Sequence, residues 1–235
     1  MSDALANTAR RLLKDARSQH GKVLVSRILN WEDQWSGGTK FTAAESHIKK
    51  LGSGWIEIIS SAQALRAIPK YLRKEAARPS SVTTVQHLRY HFENYLHENY
   101  VLQERLCKFL KMVQRAYRGD NELPAHLGSF NNIGELIHNS LKPIIEMRKQ
   151  HVHDERFEDV DLWRLSMLES MADQNRIFRP FLRTGLRKVR RKKLEAIRLN
   201  NHQIDKLLDI YFRAIYPIVF HKKGNVRFPP GVDAA

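Results

Sequence analysis

The chain is short of cysteine, of long apolar runs and of acidic residues. Cys107 is the only cysteine among 235 residues, which excludes an internal disulfide and a cysteine-based zinc site and is typical of a reducing cytoplasm. No stretch reaches the roughly 18 apolar residues of a membrane span, and residues 1–22 are polar, without the apolar core of a signal peptide. These absences lead us to expect a cytoplasmic protein without a membrane span.

Basic residues outnumber acidic ones. Lys and Arg total 40 against 25 Asp and Glu, which gives a formal net charge of +15 and a pI near 10.1. An excess of this size favours a polyanionic partner, most often nucleic acid. An anionic membrane surface is the competing interpretation.

Apolar residues recur at three- and four-residue intervals along the chain, which is the spacing of one helix face. The longest such pattern covers residues 82–117 and contains no glycine or proline. Upstream, Thr42 and Glu45 have the spacing of a capping box, which predicts a helix start. Gly52 and Gly54 predict a break soon afterwards.

Towards the C-terminus, Asp159 and Asp161 are N-cap candidates for a further helix. Pro180 and Gly185 then predict an interruption, and we expect a last helix over about 203–220. The predicted fold class is therefore all-α, a helical bundle with two long antiparallel helices at its centre.

The predicted organisation has three parts. Residues 1–80 form an N-terminal helical region, residues 81–222 form the bundle, and residues 223–235 form a flexible C-terminal tail. Chain ends that carry prolines and small residues are typically mobile.

The densest chemistry lies in the run Met147-Arg148-Lys149-Gln150-His151-Val152-His153-Asp154. Arg is a permanent cation that binds phosphate through two hydrogen bonds, and His changes charge near neutral pH. RNA cleavage without a metal needs a base for the 2′-hydroxyl, an acid for the leaving oxygen and a cation for the phosphorane. Arg148 is the candidate charge clamp, His153 the candidate base or acid, and His151 the candidate second proton-transfer group.

The R-x4-H spacing of Arg148 and His153 resembles the signature of the HEPN superfamily. The apolar run over 141–147 looks like the helix that leads into that motif, and residues 87–96 are similar to the long helix that precedes it. The resemblance covers about residues 82–220. It implies a helical bundle acting as a metal-independent endoribonuclease that leaves a 2′,3′-cyclic phosphate, in a toxin- or defence-related role with an antitoxin protein as a candidate partner. Lys149 departs from the small polar residue that active members often carry after the Arg.

Helix geometry constrains this motif. Residues five apart on an ideal helix point about 140° away from each other, so Arg148 and His153 do not share one face of a regular helix. His151, three residues after Arg148, does lie near it. A cleft between two protomers would bring the pair together, as HEPN enzymes are thought to do. We therefore predict a homodimer whose two motifs face each other.

A second candidate site is the basic segment from Arg176 to Arg198. It holds ten Lys and Arg residues against Glu195 alone, and so supplies +9 of the net +15. Phosphate binding is the natural interpretation, and the few aromatic residues predict weak base stacking. A solvated charged helix is the alternative. The candidate nucleic-acid-binding residues are Arg183, Arg187, Lys188, Arg190, Arg191, Lys192 and Lys193.

His87 and His91 stand four residues apart on the long helix, a spacing that two metal ligands can use. No HExxH pattern and no nearby cysteine accompany them, so we predict no metal site and no cofactor. The leading hypothesis is an endoribonuclease with RNA as its partner. The alternative is a non-catalytic nucleic-acid-binding or protein-interaction module that uses the segment over 176–198, and a peripheral membrane or scaffold bundle is a third hypothesis.

Overall fold

The protein is built from α-helices. Its computed structural model describes residues 41–73, 82–120, 129–153, 159–221 and 225–232, with the backbone alone for residues 129 and 149–153. These residues form α1 (Ala43–Arg73), α2 (Thr84–Ala116), α3 (Ser129–His153), α4 (Val160–Gln174) and α5 (Arg179–Val219), with a 3-10 turn at Arg176–Phe178. Within the described ranges, the β pairing is limited to one antiparallel bridge between Phe220 and Val226. The predicted all-α class is confirmed.

Helix α1 begins at the predicted capping box. The Thr42 N–H donates to Glu45 Oε2 at 2.9 Å, and the Glu45 N–H donates to Thr42 Oγ1 at 3.1 Å. Thr83 and Gln86 make the same reciprocal pair at the start of α2, at 3.0 and 3.1 Å. Both helices thus start where a side chain satisfies backbone N–H groups that the first turn leaves unpaired.

The predicted break at Gly52 and Gly54 is wrong, because α1 continues through both residues to Arg73. A Cβ atom at Gly54 would lie 2.5 Å from Cδ2 of Phe109 on α2, whereas one at Gly52 would meet nothing within 4 Å. Gly54 therefore serves the close approach of α1 and α2. The two helices run antiparallel, since Arg105 Nη1 also donates to the Glu57 carbonyl at 2.9 Å.

The predicted interruption at Pro180 and Gly185 is also wrong. Helix α5 runs unbroken for 41 residues. Pro180 lies in its first turn, where the missing N–H has no intrahelical partner to lose. A Cβ atom at Gly185 would lie 2.9 Å from Cδ2 of Leu165, so this glycine lets α4 pack closely on α5.

The described residues fall into two compact units. Unit 1 comprises the described parts of 1–58, 105–137 and 205–235, and unit 2 comprises those of 59–104 and 138–204. Helix α1 contributes to both units, so each unit combines residues from the two sides of the predicted boundary at residue 80. The predicted domain boundaries stay a prediction.

Part of the predicted tail is packed in unit 1. After α5 the chain turns back, and the Arg227 N–H donates to the Val219 carbonyl at 2.8 Å. The Tyr117 hydroxyl donates to the Arg227 carbonyl at 2.5 Å, and Val226 is buried. Backbone and hydroxyl hydrogen bonds thus hold residues 225–232, which composition alone assigns to a flexible tail.

A buried polar network joins α2 and α5 in unit 2. The Tyr95 hydroxyl donates to Asn201 Oδ1 at 2.8 Å and accepts from Asn200 Nδ2 at 2.6 Å. Asn200 also donates to Asn99 Oδ1 at 3.0 Å. Burial raises the pKa of Tyr95 to about 12, so the phenol stays neutral and keeps donating. This network sets the rotation of α5 against α2.

Candidate nucleic-acid interface

Two lysines of the basic segment attach α5 to α4. Lys193 pairs with Asp159, and the two side chains are only 11% and 10% exposed. The Lys193 amine also lies 4.1 Å from the centre of the Phe92 ring. The adjacent Lys192 pairs with Asp161 at 2.6 Å, and its hydrogen bond lowers the pKa of that carboxyl. These two lysines are already occupied by carboxylates, so they position α4.

The arginines of the segment have a different arrangement. Successive residues of an α-helix advance by about 100°, and six arginines of α5 then fall within an arc of about 120° around Arg187. Lys188, Lys192 and Lys193 all lie outside this arc. We call the six residues the arginine row: Arg179, Arg183, Arg187, Arg190, Arg191 and Arg198.

Most of the arginine row is exposed and unpaired. Arg190 is half-buried, and the other five side chains are exposed. Arg198 pairs with Glu195 at 2.8 Å, whereas the other five form no ion pair with any residue that the structure describes. From Arg179 to Arg198 the row extends for about 28 Å at 1.5 Å per residue. Along most of its length the row is therefore a line of guanidinium groups that no acidic side chain of the described residues neutralises.

The arginine row contains four of the predicted nucleic-acid-binding residues, Arg183, Arg187, Arg190 and Arg191. Arg179 and Arg198 extend it and were missed as site residues, because their alignment with the others depends on α5 being one continuous helix. Lys188 is exposed beside the row, and Lys192 and Lys193 face α4. The assignment of the three lysines to nucleic-acid binding stays a prediction.

Arg148 lies near the C-terminal end of α3 and is half-buried. Its guanidinium carbon is 4.1 Å from the centre of the Tyr100 ring on α2. Helix α3 ends at His153, five residues later. The side chains of His151 and His153 lie outside what the structure describes, so their predicted roles stay predictions.

Comparison of the chain with protein-family models, curated proteins and solved structures found no match. The HEPN resemblance therefore rests on the sequence motif and its helical setting. Among the described helices, none is long and apolar enough to cross a membrane.

The histidine pair on α2 is occupied by its own contacts. Nε2 of His87 and Nε2 of His91 lie 3.1 Å apart, and the His91 ring stacks on Tyr71 with 5.5 Å between centres. Burial, and to a smaller extent His87, lowers the pKa of His91. Nδ1 of His91 is buried without a hydrogen-bond partner among the described residues, which favours the tautomer that has its hydrogen on Nε2, directed at His87. No group of three metal-ligating side chains occurs in the described ranges.

Proposed function

We propose that this protein binds RNA through the arginine row. The observation that carries the proposal is the division of the basic segment, in which five of the six arginines of the row are exposed while Lys192 and Lys193 are ion-paired. A guanidinium group is always charged and forms two parallel hydrogen bonds with a phosphate. Guanidinium groups about 6 Å apart on successive turns therefore suit a chain of phosphates.

Charge reversal in the arginine row tests this proposal. We expect the triple variant Arg183→Glu, Arg187→Glu, Arg191→Glu to bind RNA about 100-fold more weakly near 0.15 M salt, because three phosphate contacts become repulsive. The magnitude of the slope of log K against log salt concentration is expected to fall by about 2, because a complex with three fewer phosphate contacts releases fewer counterions when it forms. Fluorescence anisotropy of a labelled RNA across a salt series measures both quantities.

The matched control places the same charge change on another helix. Lys108, Lys111 and Arg115 are exposed residues of α2, and their triple replacement by Glu alters the net charge equally. We expect this control to bind RNA within about threefold of the unmodified protein. Equal weakening in the two triple variants would show that net charge, and not the arginine row, is responsible.

A second candidate function is metal-independent RNA cleavage at Arg148, His151 and His153. The observation that favours it is the position of the Arg148 guanidinium carbon over the Tyr100 ring, 4.1 Å from the ring centre. A guanidinium group has five N–H donors, so one held over an aromatic ring can still donate to a phosphate. The proposed reaction uses the two histidines for proton transfer, in a homodimer whose motifs share one cleft.

Cleavage in the presence of EDTA tests the second candidate. We expect RNA fragments ending in 2′,3′-cyclic phosphates, and a loss of at least about 100-fold in rate for Arg148→Ala or His153→Ala. His138→Ala replaces an exposed histidine of the same helix and is expected to leave the rate unchanged. Unaltered cleavage by both motif variants would refute the assignment, and a monomeric mass by light scattering would refute the shared cleft.

A further inference from the structure

The arginine row contains no aromatic side chain. Between Arg179 and Arg198, no aromatic residue falls within its arc of about 120°. The exposed apolar side chains of this part of α5, Phe181 and Leu199, are 62% and 57% exposed. They stand six and twelve residues from Arg187, which places both about 120° away around the helix.

The nearest exposed tryptophan in the sequence belongs to another surface. Trp163 is 46% exposed on α4. The side of α4 that contacts α5 carries Asp161 and Leu165, and at about 100° per residue Trp163 lies on the opposite side. Neither α5 nor α4 thus places an aromatic ring beside the arginine row.

We propose that the arginine row binds nucleic acid in its double-helical form, through backbone phosphates and independently of base sequence. This inference rests on the proposed RNA binding. Proteins that hold single strands combine basic grooves with aromatic rings on which the unpaired bases stack. The arginine row has no such ring beside it on α4 or α5, so unpaired bases could stack there only on guanidinium groups, whereas in a duplex the bases are already stacked on each other.

Charge density favours the duplex further. A double helix carries one negative charge per about 1.7 Å of its axis, so a length of about 28 Å carries about 16 phosphate charges on the two strands together, and those on the near side face the row. A single strand offers fewer phosphates over the same length and requires its flexible backbone to be ordered along the helix. The expected preference for a duplex over its separate strands is about tenfold or more near 0.15 M salt.

Anisotropy titrations with four labelled ligands of equal length test the inference. They are an RNA duplex, one of its strands chosen not to fold on itself, a second RNA duplex of unrelated sequence, and a DNA duplex of the first sequence. We expect both RNA duplexes to bind within about threefold of each other and at least about tenfold more tightly than the single strand. Comparable binding of the DNA duplex would identify phosphate as the ligand that the two duplexes share, and selective binding of the RNA duplex would add the 2′-hydroxyl; both support the inference.

The titrations give a different result for failure of the duplex inference, of sequence independence and of the proposed RNA binding. Single-stranded RNA binding as tightly as the duplex would overturn the duplex inference and leave the proposed RNA binding intact. A difference above about tenfold between the two RNA duplexes would overturn sequence independence, and binding of no RNA form would refute the proposed function itself.

The variant Arg183→Gln, Arg187→Gln, Arg191→Gln removes charge from exposed positions, with circular dichroism as a check on folding. We expect it to lose duplex binding by about 30-fold, and unaltered binding would exclude the row as the contact surface.

Discussion

Replacing Asp159 with alanine is expected to lower the free energy of unfolding by about 3–5 kcal/mol, the cost typical of removing one partner of a buried ion pair. Lys193 would keep its charge at a site where the side chain is 11% exposed. Asp159 also accepts a hydrogen bond from the Leu162 N–H at 3.1 Å, which confirms the N-cap predicted at the start of α4. The loss of this cap adds about 1 kcal/mol to the effect.

Two further variants separate the charge from the cap. Asp159→Asn keeps a side-chain oxygen for the cap but removes the negative charge, so it is expected to remain strongly destabilising. Lys193→Met added to Asp159→Asn removes the uncompensated charge and keeps an apolar chain against Phe92. We expect the double variant to recover most of the stability lost by Asp159→Asn, as measured by urea unfolding.

The neighbouring pair is the matched control. Lys192 and Asp161 also join α5 to α4, but the Lys192 side chain is 70% exposed. Water screens this pair, so Asp161→Asn is expected to cost much less stability than Asp159→Ala. Similar losses of stability for Asp159→Ala and Asp161→Asn would contradict the distinction between the buried and the exposed pair.

Acidification is expected to destabilise the protein through His47, which lies in unit 1 and is 7% exposed. His47 Nε2 is 2.9 Å from the Tyr117 hydroxyl. Because that hydroxyl donates its one hydrogen to the Arg227 carbonyl, Nε2 of His47 must be the donor to the Tyr117 oxygen. Burial, with a smaller contribution from Lys50, lowers the pKa of His47 from 6.5 to about 4.

The direction in which stability changes with pH depends on how many protons the folded and unfolded states bind. Between pH 6.5 and 4 the unfolded chain binds a proton at His47 that the folded protein does not bind, so stability is full above pH 6.5 and falls as the pH falls. A shift from 6.5 to about 4 corresponds to about 3 kcal/mol. His47→Gln keeps an N–H donor for Tyr117 but does not titrate. Between pH 7 and pH 4, the free energy of unfolding of this variant is expected to fall by about 3 kcal/mol less than that of the unmodified protein.

Urea unfolding across this pH range measures the difference. His97→Gln replaces an exposed histidine of α2 and is expected to follow the unmodified protein at every pH. Carboxylates contribute equally to all three proteins, so only the gap between curves is interpreted. A gap for His47→Gln that does not change with pH would rule out titration of His47 as the cause.

Local signals in the sequence predicted helix starts well. Thr42 with Glu45 and Asp159 were both recognisable, because a cap is formed by residues within one helical turn. Gly54 and Gly185 were misread as breaks for the opposite reason. Each allows a close contact with a residue far along the chain, Phe109 and Leu165 respectively, and local composition contains no information about such neighbours.

The candidate site also has features that follow from local sequence and features that depend on tertiary packing. Arg183, Arg187 and Arg191 are spaced four residues apart, and in any helical segment such intervals place side chains on one face. The sequence did not separate the arginines from the lysines, since Lys192 and Lys193 differ in role only through the carboxylates of α4. It also missed Arg179 and Arg198, whose alignment with the row requires α5 to continue through Pro180 and Gly185.

The sequence by itself determined the helical class, the excess of positive charge and the concentration of that charge in one segment, since periodicity and composition are properties of the chain alone. Only the tertiary structure decided which of those charges are available. Packing of α4 on α5 buries Lys193 beside Asp159 and leaves the arginine row exposed on another side of the same helix. The physical reason is that an ion pair forms between residues brought together by packing, and sequence spacing within one helix does not specify what packs against it.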